Sequence, residues 1–178
     1  MRRPFARRTR LSAEVLRRAA LPRGVRVLAW ASSDDGPWLL GTRDALVLVD
    51  TDETLSIPWE RVEAADWERD EDLLRITEVG EFGRSRPVHA FIVPDPGHLL
   101  PLVRERVTAS VLLQRRVVTG RGRGVLVIAR RPPRGSGEIT WAFEFDAGVD
   151  PEDPAVARAA EEGLRAAQDE LGEGGRRI

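Results

Sequence analysis

The side chains able to do chemistry in this chain are few. There are two histidines, His89 and His98, and no cysteine. A nucleophile–base pair or a zinc site needs His, Cys or carboxylates at ligand spacing, and neither histidine has such company in the sequence. His89 falls on a predicted strand and His98 near a helix start, so structural roles are expected for both. Asp66/Glu68 and Asp70/Asp72 alternate as calcium ligands do, but the glycine and closing Glu of a calcium loop are missing, and the spacing predicts a solvated hairpin turn. Gly120-Arg121-Gly122-Arg123-Gly124 has the composition of a phosphate cradle. A cradle requires a helix after its glycines, whereas Val125-Leu126-Val127-Ile128-Ala129 reads as a strand. These readings predict no catalytic residue, no metal and no cofactor, and therefore a binding protein rather than an enzyme.

What remains is charge. All 28 basic residues are Arg, with no Lys, Asn or Tyr anywhere, the usage of a very GC-rich bacterial genome. Codon usage does not explain where the charges lie. Residues 1–26 hold nine Arg against one acid, and 34–82 hold fifteen acids against four Arg. Residues 115–137 then hold seven Arg and no acid, and 138–173 eleven acids and two Arg. A net charge of −1 thus covers four alternating blocks, which pair within the molecule or meet partners of opposite sign. The basic hairpin arginines Arg115, Arg116, Arg121, Arg123, Arg130, Arg131 and Arg134 are the predicted anion- or partner-binding set. Such a ribbon fits an acidic protein surface first, nucleic-acid phosphate second and an anionic membrane surface third. Aromatic residues, which a single-strand binder interleaves with its cations, are absent from 115–137. Alternation adds a constraint: on a regular strand Arg130 and Arg131 point to opposite faces.

These residues need a scaffold. Ser12 is placed to cap a short helix with Leu11, Val15, Leu16 and Ala19 on one face. From Val25 to Val93 the pattern predicts seven short strands: 25–33, 38–42, 45–49, 54–59, 62–68, 73–79 and 88–93. The turns between them leave no room for crossover helices, which implies an antiparallel barrel or sandwich. Trp59 and Trp67 are expected on consecutive strands. Asp95 and Pro96 open a helix whose stripe is Leu99, Leu102, Val103, Val107 and Val111. Strands over 115–119, 124–131 and 138–145 follow. Asp153-Pro154 then starts a helix bearing Val156, Ala159, Ala160, Gly163, Leu164, Ala167 and Leu171, with Gly172 as its stop.

Seven strands and a closing helix are the order of the pleckstrin-homology superfold. The stretches Trp38–Leu48, Ile57-Pro58-Trp59-Glu60-Arg61-Val62 and Leu73-Leu74-Arg75-Ile76-Thr77 resemble the bacterial pleckstrin-homology-like (PH-like) domains, over roughly residues 25–112. The resemblance implies a fold and no active site. Lipid-binding members carry basic residues between the first two strands; here that loop is Asp34-Asp35-Gly36, which argues against phosphoinositide binding there.

The sequence as a whole therefore predicts a β-rich α+β protein in three parts. Residues 1–24 form a basic tail and short helix, 25–113 a PH-like seven-stranded antiparallel barrel with its closing helix, and 114–178 a β-β-β-α extension packed on it. The expected role is cytoplasmic scaffolding through protein–protein contact. Nucleic-acid binding by the Arg-rich hairpin and N-terminal tail is the alternative, and an enzyme comes third.

Overall fold

The computed structural model describes residues 10–80, 86–120, 122–134 and 137–174. Helix α1 (Ala13–Arg18) is capped by Ser12, whose Oγ accepts from the Val15 amide at 3.2 Å. A four-stranded antiparallel meander follows: β1 (Ala29–Ser32), β2 (Trp38–Gly41), β3 (Ala45–Val49) and β4 (Thr54–Pro58). Pro58 lacks the N–H that would continue the ladder, and a 3-10 turn, Trp59–Arg61, breaks the chain away into a second sheet. That sheet is β5 (Val62–Glu68), β6 (Leu73–Glu78) and β7 (Val88–Ile92), in sequence order. The seven expected strands are thus present, in two sheets. Trp67 lies on β5, but Trp59 sits in the 3-10 turn ahead of it and not on a strand.

Both sheets bury one face in a common core. Ala29, Ala31, Leu39, Leu46, Leu48 and Ile57 come from the first; Val62, Leu74, Ile76 and Phe91 come from the second, with Trp59 fully buried among them. Helix α2 (Leu99–Ser110) closes this core with Leu99, Leu100 and Val103, and Leu102 and Val107 pack against it. The expected helical stripe faces inward as far as Val107. Val111 leaves it, because the chain passes from Ser110 directly into a strand. His98, not Asp95, takes the N-cap position; the Asp95 carboxylate accepts from the Gly97 amide. On the outer face of the first sheet, α1 places Val15 and Ala19 against Leu40, Val47 and Val49.

The C-terminal part is a three-stranded sheet in the order β10-β9-β8, covered by a helix. Strand β8 (Val111–Gly120) starts four residues before the expected position and β10 (Thr140–Phe145) two residues after it. Strand β9 (Arg123–Arg130) lies between them. Helix α3 (Pro154–Gly174) opens with the Asp153 carboxylate on the Ala155 amide and runs two residues past Gly172. Its Val156, Ala160, Gly163 and Ala167 are buried at the spacing read from the sequence. Strand β9 is covered on both sides. Val127 faces α3, and Ile128 packs with Ala142 and with Val79, which follows β6.

Two glycines in this unit are required by close approach. A Cβ on Gly124 would stand 1.9 Å from the Val117 carbonyl oxygen, beside the irregular register at Val118 and Gly120. A Cβ on Gly163 would meet Val117 Cγ2 at 2.4 Å. Gly163→Ala should therefore lower stability by about 1–3 kcal/mol through overpacking, although Ala alone favours a helix by about 1 kcal/mol. Urea unfolding of Gly163→Ala, and of Gly163→Ala with Val117→Ala, checks this. The second substitution should restore part of the loss.

Candidate functional site

The predicted arginine set does not form one surface. Among the described residues, Arg115, Arg116, Arg123 and Arg130 have acidic groups of the same molecule beside them. Arg115, on the α3 side of β8, lies 3.8 Å from Glu170 of that helix. Arg116, on the opposite side, pairs through Nη2 with Asp146 just beyond β10, and the same Nη2 also donates to the Gly122 carbonyl. Arg123 lies near Asp146, with its guanidinium against Gly148. Arg131 and Arg134 are exposed past the far end of β9. With about 3.4 Å per strand residue, Arg123 and Arg131 stand roughly 27 Å apart. Arg121 lies outside the described residues. The basic block 115–137 is thus largely met by the acidic block 138–173 that follows it.

Asp146 is the hub of the hairpin tip. The Arg116 hydrogen bond, then the Gly124 amide at 2.8 Å, hold its carboxyl below the ordinary 3.8. A lowered folded value contributes stability that is present above 3.8 and is lost as pH falls through the folded value. Asp146→Asn should accordingly flatten the acid limb of the stability–pH curve, read by thermal melts at about pH 2 to 5.

Arg130 is the largest departure from expectation. Instead of facing a partner it is 3% exposed, in the seam between the C-terminal sheet and the first unit. Its Nη1 donates to the Val62 carbonyl at 3.3 Å and to Ser110 Oγ at 3.2 Å. Glu144 of β10 and Glu63 of β5 supply the counter-charge. Glu63 falls where the β5–β6 register slips, and its side chain is 8% exposed. There it sits 2.6 Å from Arg86 Nη1, and Arg86 Nη2 donates on to the Phe143 carbonyl of β10. Burial pushes the Glu63 carboxyl above its ordinary 4.5 despite the two cations, and burial likewise lowers Arg130 from its ordinary value. The seam is a polar joint whose chemistry is structural.

His89 Nε2 is 2.8 Å from Glu78 Oε1 on the neighbouring strand, and His98 stands exposed at the start of α2. Among the described residues, no three His, Cys, Asp or Glu side chains gather as a metal site would need. Nor is any helix long and apolar enough to cross a membrane.

The feature the residue-by-residue reading missed is a pole. In an antiparallel meander alternate turns lie at one end. Here those turns are Asp34–Pro37, Asp50–Glu53 and Arg69–Asp72. They carry Asp34, Asp35, Asp50, Asp52, Glu53, Asp70, Glu71 and Asp72, eight carboxylates against the single guanidinium of Arg69. Hydrogen bonds tie the first and third of these turns to the end of β7. Asp34 N donates to the Ile92 carbonyl (2.8 Å), Ile92 N to Asp35 Oδ2 (3.2 Å), and Val93 N to the Asp72 carbonyl (2.6 Å). Arg69 is itself drawn over the Trp67 ring, 5.4 Å from its centre. The signal was present in the sequence as acidic turns recurring at every second strand connection.

No protein-family model, no curated protein and no solved structure matches the chain.

Proposed function

We propose that this chain is a non-enzymatic protein-binding module, built as a PH-like unit over residues 25–113 with a β-β-β-α extension, and that it docks a basic segment of a protein partner on its acidic pole. The observation that supports this reading is the collection of eight carboxylates at one end of the two sheets. A predominantly acidic surface of that kind, with Arg69 in its third turn and Arg18 bonded to Thr54 at its border, raises the encounter rate with cationic partners and disfavours phosphate, whether of nucleic acid or of lipid. The nucleic-acid alternative is the weaker reading, because Arg115 and Arg116 have acidic partners in the same molecule and Arg130 is buried.

Capture from native lysate tests the proposal. The pole variant Asp50→Asn/Asp52→Asn/Glu53→Gln/Asp70→Asn/Glu71→Gln should lose a salt-sensitive partner that wild type retains. The hairpin variant Arg123→Ala/Arg131→Ala/Arg134→Ala should keep it. Wild type should give no gel shift with DNA or RNA at about 150 mM salt, where charges beyond about 8 Å are screened. A sub-micromolar shift under that condition, abolished in the hairpin variant, would sink the proposal in favour of nucleic acid.

A further inference from the structure

Two pairs of exposed apolar side chains stand in surroundings of opposite charge. Leu55 (39% exposed) follows the Asp50–Glu53 turn, and Ile92 (36%) ends β7 against Asp34 and Asp35. Both therefore belong to the acidic pole. Leu28 (47%) and Trp30 (40%) lie on the segment that enters β1, alternating with exposed Arg26, and Arg23 is exposed just upstream. Alternate residues of an extended chain share a side, and the Leu28 amide already joins the ladder through the Gly41 carbonyl. Because β1 runs toward the Asp34–Pro37 turn, this basic stripe begins at the end of the sheet away from the pole.

We infer that these are the two halves of one contact, and that the acidic pole takes the Arg23–Trp30 stripe of a second copy of this chain, head to tail. The inference rests on the docking role proposed for the pole and names its occupant. Each half has an apolar centre and a charged rim, the rims are of opposite sign, and Trp and Arg are the side chains that most often anchor interfaces. Charge excludes pole on pole and stripe on stripe, and because Leu28 joins the sheet at Gly41, away from the Asp34–Pro37 turn, one pole–stripe contact leaves the other pole and the other stripe open. A heterologous contact of this kind propagates into rings or open chains. The hairpin cannot substitute as the basic half, because its central arginines are engaged by Glu170 and Asp146 or buried in the seam.

Sedimentation and light scattering test the assembly. In wild type the mass should rise with concentration at about 25 mM salt and return to that of the monomer at about 500 mM, where the screening length shrinks to a few ångströms. Arg23→Glu/Arg26→Glu and Asp50→Arg/Asp52→Arg should each remain monomeric, with unchanged far-ultraviolet circular dichroism because the replaced side chains are exposed. Mixed in equal amounts, the two should associate, since each retains the half that the other lacks. A wild type that is monomeric throughout at low salt overturns the inference, as does a mixture that fails to pair. If the pole variant nonetheless loses a captured basic protein, only the identity of the occupant is wrong, and the docking role stands. A monomeric wild type that sediments with anionic vesicles or shifts an oligonucleotide, and loses this on Arg23→Glu/Arg26→Glu, also overturns it by giving the stripe to a phosphate ligand.

Discussion

Arg130→Ala is expected to cost about 3–5 kcal/mol, the range found when one member of a buried ionic set is removed and its partners are left uncompensated. The Val62 carbonyl and Ser110 Oγ would lose their donor, and Glu63 and Glu144 would lose a cation in a seam from which water is largely excluded. Chemical unfolding measures the loss. Arg130→Met should fall between wild type and Ala, because it keeps the apolar stem and drops only the guanidinium. Equal stability of Ala and wild type would mean that the seam is open to water. Glu63 adds a pH signature. Its folded value is raised, so the stability it contributes is fully present below 4.5 and is lost as pH rises through the folded value. Glu63→Gln should flatten that decline, and the pH dependence of the unfolding midpoint from about 4 to 8 would show it.

Trp59→Ala should be the most damaging apolar substitution, again about 3–5 kcal/mol, the usual range for a fully buried aromatic truncated to Ala. The ring is 0% exposed between the two sheets, and its Nε1 donates to the Thr42 carbonyl at 3.2 Å. Thr42 Oγ1 in turn accepts from the Asp44 and Ala45 amides, and Trp59 N donates to the Asp44 carbonyl. The indole therefore fastens the β2–β3 turn to the break between sheets as well as filling the core. Trp59→Phe separates the two roles. It should lose about 1–3 kcal/mol, the cost of leaving a buried carbonyl unpaired. Equilibrium unfolding of both variants ranks them, and a Phe variant as unstable as Ala would place the whole effect in the lost indole hydrogen bond.

Much of this architecture is local, and local patterns are legible in a sequence. The Ser12 cap, the inward stripe from Leu99 to Val107 and the α3 stripe from Val156 to Ala167 each depend on residues within a turn or two of one another. Arg130 closes β9 buried, whereas Arg131 lies exposed just past the strand, so alternation within a strand does not separate them. Local patterning could not say which face another unit would cover. Seven arginines without an acid among them read as a surface. Three of them are instead held by partners tens of residues away: Glu170 on α3 for Arg115, Asp146 beyond β10 for Arg116, and Ser110 with Val62 for Arg130. The register slip that turns Glu63 into the seam likewise brings together residues far apart in the chain, Glu63 with Arg86 and Arg130. The acidic pole lies between these cases. Its residues are plain in the sequence, but they become one surface only because an antiparallel meander returns every second turn to the same end.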